Sequence, residues 1–200
     1  MTIRLHPVQL IGAVGLLAAC SGGSPTAAPA SGALTVQLTD APFPFDSVQR
    51  VDVFVVRVDA KTAATDSAEA SRNTADSDRD GSGWTTVAEP KAKFELLALR
   101  NGLTALLGQK ALPAGDYQGF RLIIDPAQSS VTLKGGQAVD VQWPGASRSG
   151  IKIQLDRNVT VGATPATLVV DFDVSQAFVM RGSAMKNGLL FKPVLHATPK

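Results

Sequence analysis

The segment Asp76-Ser77-Asp78-Arg79-Asp80-Gly81 carries the metal-site chemistry of this chain. Alternate carboxylates followed by a glycine can wrap a hard cation such as calcium, the glycine making the sharp turn. An EF-hand loop would place a Glu at its twelfth position, where Val87 stands, with a helix on either side. Neither condition is met. Asp76, Asp78 and Asp80 are the candidate metal ligands, and calcium is the one cofactor they suggest. The competing reading is a solvated loop, because residues 61–83 are rich in Ala, Ser, Thr and Asp and read as a flexible insertion between strands.

Other residues could do chemistry, but each has a plainer explanation. Asp171 and Asp173 share strand parity, and paired carboxylates serve general acid–base work or hold metal. Outward-facing polar positions account for both, and Asp40, near Pro42, reads as a turn-forming carboxylate. His196 shares parity with Lys192 and Val194, which points it at solvent. A Ser-His-Asp arrangement needs a buried histidine oriented by a carboxylate. The chain has no Gly-x-Ser-x-Gly elbow, phosphate-cradling loop or zinc helix. No catalytic residue is assigned, and the expected role is non-enzymatic. Trp84 and Trp143 could stack on sugars; Trp143 follows the inward parity of Val139 and Val141 and reads as core. Trp84 borders the acidic loop and fits either role.

Cys20 is the only cysteine, so no intramolecular disulfide or thiolate metal cluster can form. It stands behind Arg4 and an apolar run from Val8 to Ala19 ending in the small residues Ala18 and Ala19, the layout of a secretory signal. The run is about 12 residues, short of the roughly 20 a membrane-spanning helix needs. Leu17-Ala18-Ala19-Cys20 resembles the lipobox of bacterial lipoproteins, in which the cysteine sulfur takes a diacylglycerol and becomes the mature N-terminus. That resemblance implies a signal peptide over 1–19, lipid attachment at Cys20 and a membrane-anchored envelope protein. Ser21 after the cysteine is similar to the pattern of lipoproteins sent to the outer membrane, at its periplasmic or surface face. Residues 20–32, built mainly from Ser, Gly, Thr, Ala and Pro, cannot pack a core and read as a flexible tether.

The elements that must position any site are strands. Leu34, Val36 and Leu38 alternate with Thr35, Gln37 and Thr39, and the same period runs through 120–125, 139–143, 151–156, 168–174 and 189–195. Val51, Val53 and Val55 lie on one face while Val56 and Val58 continue on the other, which calls for a bulge near Val55 or a strand covered on both sides. Lys134-Gly135-Gly136-Gln137 reads as a tight hairpin, with similar turns at Asn187-Gly188 and Asp156-Arg157-Asn158. Leu103, Leu106 and Leu107 have helical spacing with Gly108 as a C-cap, which predicts one short helix in a connection. The expected fold is an all-β antiparallel sandwich of about seven to nine strands over residues 33–198, with a barrel as the lesser option. Hydrophobic residues at 44% and charged residues at 18% suit one globular domain. The net charge of +2, or +1 without Arg4, supplies no field for nucleic acid.

Leu38-Thr39-Asp40-Ala41-Pro42, Leu112-Pro113-Ala114-Gly115-Asp116-Tyr117, Val170-Asp171-Phe172-Asp173 and Leu190-Phe191-Lys192-Pro193-Val194 occur in that order. Together they resemble the bacterial lipoprotein family filed as domain of unknown function 4382, over about Gly32 to Ala197. The resemblance implies a transthyretin-like or prealbumin-like β-sandwich and implies no catalytic residues. The expected function is a binding or structural module at the envelope, with an envelope protein or polysaccharide as partner. Calcium-dependent adhesion or assembly through Asp76–Asp80 is the alternative, and an envelope hydrolase using Asp171 or His196 is a third.

Overall fold

Alternating sequence becomes fifteen strands in the computed structural model, which describes residues 30–40, 46–62 and 83–200. The first six are β1 (Ser31–Asp40), β2 (Val48–Thr62), β3 (Trp84–Ala88), β4 (Ala92–Glu95), β5 (Ala105–Pro113) and β6 (Gly115–Ile124). Then come β7 (Ser130–Leu133), β8 (Ala138–Val139), β9 (Val141–Gln142), β10 (Ile151–Leu155) and β11 (Val159–Val161). β12 (Ala166–Phe172), β13 (Phe178–Met180), β14 (Leu189–Phe191) and β15 (Leu195–Pro199) complete the set. The twelve-stranded sheet runs β5-β1-β12-β15-β10-β6-β2-β7-β8, with β11 on β6 and with β3 and β4 on β2. A three-stranded sheet, β13-β14-β9, packs against it. The class is all-β and sandwich-like.

Inward residues of the large sheet, among them Leu34, Val36, Leu38, Phe120, Leu122, Leu168, Val170 and Phe172, are almost wholly buried. The two sheets meet at four rings. Phe191 of the small sheet stacks on Phe172 of the large one at 5.9 Å between centroids. Trp143 and Phe178 close on Phe191 at 4.6 and 5.2 Å. Trp143 is therefore a core-packing residue, as its parity indicates.

β2 meets both conditions inferred for its valines. Its register against β6 shifts between Val55 and Arg57, a bulge, and it is central, pairing with β6 and β7 on one edge and with β3 and β4 on the other. The hairpin at 134–137 joins β7 to β8, closed by Gly136 N–H to the Leu133 carbonyl at 2.9 Å, with Gly135 and Gly136 both at positive φ. The turn at 156–158 differs from a hairpin: β10 and β11 pair in succession with the same strand, β6.

Three features depart from the sequence reading. The sheets are mixed, since β1–β12, β10–β15 and β14–β9 are parallel pairs. Alternation reports which face a residue takes and carries no information on partner direction. The strand number exceeds seven to nine because pieces such as β8 and β9 are two residues long, too short to show a period. Finally, the helix expected at Leu103–Leu107 is absent. That stretch enters β5, which pairs with β1 across a bulge between Val36 and Gln37, leaving Leu103 and Leu106 each 61% exposed and only Leu107 buried. The three leucines share no face, and three residues are too few to establish a helical period. The α-helix among the described residues is instead α1 (Val174–Ala177), in the connection from β12 to β13.

The large sheet curls until β5, at one end, meets β3, on the outer edge of β2, without forming a barrel. A Cβ built on Gly108 of β5 would lie 2.8 Å from the Ala88 Cβ of β3, so the glycine permits the contact. Further along, the edges part into a cleft of about 440 Å³ lined by 86–89 and 107–110, bridged by Lys110 Nζ donating to the Thr86 carbonyl at 2.7 Å.

Candidate functional site

Asp76, Asp78 and Asp80, with the calcium assignment they carry, lie outside the described residues, as does Cys20. Among the described residues no group of three His, Cys, Asp or Glu side chains is placed to hold a metal ion. No helix among them is long and apolar enough to cross a membrane.

The carboxylates singled out by motif converge at one end of the large sheet. Thr39, Asp171 and His196 are neighbours across β1, β12 and β15. Asp40 ends β1 as a buried residue and accepts the Val174 N–H at 3.2 Å, tying the first strand to the start of α1 across 134 residues of chain. The turn expected for it with Pro42 falls on residues outside those described. Asp173 is the N-cap of α1: it accepts the Gln176 N–H and side-chain bonds from Ser175 and Gln176. Burial acts to raise the Asp173 carboxyl, but these hydrogen bonds together hold it below its ordinary value. Asp171 and Asp173 therefore do separate work. His196 is exposed, and no hydrogen bond among the described residues orients its ring.

Asp171 is under electrostatic stress. Its Oδ1 is buried without a hydrogen-bond partner among the described residues. Burial raises its pKa, the Asp173 charge adds to the rise, and His196 opposes it. A carboxyl raised in this way favours the folded chain while protonated, and that contribution is lost as pH climbs through the raised value. Asp171→Asn should therefore stabilise the protein at neutral pH and change little near about pH 3. Urea denaturation at the two pH values measures it; an equal gain at both would show that charge is not the cause.

A second cluster, across the middle of the same face, was not legible from spacing. Asp59 of β2 lies opposite Arg121 of β6 and Thr86 of β3. Asp59 and Arg121 are 2% and 4% exposed. The carboxylate accepts from Arg121 Nε at 3.0 Å, from Arg57 Nε at 3.1 Å and from Thr86 Oγ1 at 2.9 Å. Arg121 Cζ lies 4.4 Å from the centroid of the Trp84 ring, a cation–π contact. Arg57-Val58-Asp59 alternation was visible as strand, but the Arg121 and Thr86 partners come from distant segments.

Beside this network a cavity of about 220 Å³ opens, lined by Lys61, Trp84, Gln118, Gly119, Phe120, Lys152 and Ile153. Trp84, Lys61 and Gly119 are in register across β3, β2 and β6. A Cβ on Gly119 would sit 3.5 Å from the benzo edge of Trp84 and 3.2 Å from Lys61 Cβ. A side chain here would crowd Lys61 and lie in contact with the indole, so the glycine leaves backbone as floor. Trp84 Nε1 is buried without an acceptor among the described residues. Such an orphan donor costs about 1–3 kcal/mol, so fold stability alone does not favour a tryptophan here over a phenylalanine.

The family described as domain of unknown function (DUF4382) matches residues 31–193. No curated protein matches the chain.

Proposed function

The chain belongs to the DUF4382 family, and from that premise we propose that it is an envelope lipoprotein: a non-enzymatic β module, tethered by acyl chains on Cys20, that binds or organises other envelope material. One observation carries the reading. The sole cysteine directly follows an apolar run ending in Ala18-Ala19, and residues 21–30 are small and polar enough in composition to act as a spacer. The curled sheet that begins at Ser31 suits such a fixture, because a rigid scaffold holds recognition on its loops and outer face. Each buried methylene contributes about 0.8 kcal/mol, so two or three long chains hold the protein firmly at a membrane. The outer membrane is the proposed destination.

Mass spectrometry of the mature protein should find its N-terminus at Cys20 with fatty acyl mass on that residue. Cys20→Ser should move it from the membrane fraction to the soluble one almost completely. A mature chain that begins elsewhere, or carries no acyl mass, would overturn the placement. The alternative, a calcium-dependent module using Asp76, Asp78 and Asp80, predicts a rise in melting temperature with millimolar calcium, whereas the simple tethered module predicts none.

A further inference from the structure

The seam between β3 and β5 is where the large sheet stops short of closing. β5 ends the sheet and pairs only with β1, and β3 pairs only with β2, so among the described residues their outer edges meet with no ladder between them. The two strands run antiparallel there: Ala88 meets Gly108, and Thr86 lies toward Lys110. A strand edge presents N–H and C=O groups that need partners, which makes it a template for another strand. The bond that does cross this seam comes from a side chain. Lys110 Nζ donates to the Thr86 carbonyl at 2.7 Å. Lys110 is exposed, so its ammonium can leave that carbonyl for water at small cost. The cleft of about 440 Å³ has four residues of each strand along it, roughly 13 Å of extended chain. Its lips carry Glu89, Gln109 and Lys110, exposed and polar, while Val87 and Leu107 are buried behind them. With no exposed apolar side chain in the lining, what the cleft offers an occupant is backbone.

We infer that this seam is a strand-acceptor site. An extended segment of another protein lies along the cleft and pairs by its main chain with the edges of β3 and β5, while Lys110 swings out to admit it. Recognition of this kind draws its affinity from backbone hydrogen bonds and tolerates many side chains. Lys110 acts as the placeholder, holding the Thr86 carbonyl until a strand arrives. The inference concerns the folded domain alone and does not depend on how the chain is anchored.

The probe is a dye-labelled hexapeptide, Glu-Thr-Val-Thr-Val-Glu, titrated into the full chain in detergent and followed by fluorescence anisotropy. It should bind with a Kd below about 1 mM. The same peptide N-methylated on alternate residues keeps its side chains but loses backbone donors, and should bind at least about tenfold more weakly. Lys110→Ala removes the side chain that the peptide must displace, and should tighten binding by about threefold or more. With peptide bound, amide hydrogen exchange should slow in 84–89 and 105–113. No binding to the original chain or to Lys110→Ala, equal binding of the N-methylated peptide, affinity unchanged or weakened by Lys110→Ala, or protection at another edge instead would each overturn the assignment. The chain alone should sediment as a monomer; a dimer that the peptide dissociates would give the seam to a second copy and overturn the partner proposed here. Acyl mass on Cys20 is read separately, and neither result there bears on the seam.

Discussion

Asp59→Ala should cost about 3–5 kcal/mol of folding stability, a large share of the roughly 5–15 kcal/mol that holds a domain of this size together. The reason is the company the carboxylate keeps. Arg121 is 4% exposed and cannot shed its charge, and its Nε donates a charge-assisted bond to Asp59 at 3.0 Å. Removing the carboxylate takes from the buried guanidinium the acceptor of its Nε and brings it into repulsion with Arg57, which shared that carboxylate. The reciprocal change should be milder. Arg121→Met fills similar volume with an apolar chain, and Asp59 keeps Arg57 and Thr86. Chemical denaturation of the two variants and their double mutant reads the asymmetry. Equal losses in both single variants, or a loss below about 1 kcal/mol for Asp59→Ala, would show that water reaches the pair and screens it.

This network also shows where sequence reading stops. Period two in β1, β10 and β12 is a local property of each strand, dictated by one dry face and one wet face, and the structure keeps it residue for residue at Leu34-Val36-Leu38, Ile151-Ile153 and Leu168-Val170-Phe172. The hairpin at 134–137 was legible for the same reason, since two consecutive glycines are themselves the turn. What could not be read was partnership. Arg121 looked like an outward residue between Phe120 and Leu122, and outward normally means wet. It is dry, and Trp84 of β3 lies against it. Asp40 likewise accepts from Val174, 134 residues away, a partner that no local pattern announces. Leu103, Leu106 and Leu107 failed differently: three residues with helical spacing are too few to establish a period, and here only Leu107 is buried. Motif reading placed Asp171 and Asp173 together, and they are close, but one caps α1 while the other is destabilised by burial.

The second large effect concerns how the small sheet is held. β13, β14 and β9 are three, three and two residues long, and a sheet of that size has too little surface to be stable by itself. Its attachment passes through Phe191, which is fully buried and touches Phe172, Phe178 and Trp143 with ring centroids 4.6 to 5.9 Å apart. Phe191→Ala should cost about 3–5 kcal/mol, the range for emptying a large aromatic from a packed core. The loss should also be uneven. β14 has Phe191 as its only ring, whereas β2 and β6 are held by strand pairing on both edges and by the far core around Phe120 and Leu122. Amide hydrogen exchange should accordingly speed up in 178–180 and 189–191 well before it does in 58–61 and 119–124, and Trp143 fluorescence should shift to the red as its ring meets water. Uniform acceleration across both sheets would mean that the two layers fold as one cooperative unit and that the ring cluster merely adds to a shared core. An uneven response would identify the four rings as the joint between the layers, and would explain why Trp143, the one tryptophan with core parity, sits at the seam of the sheets.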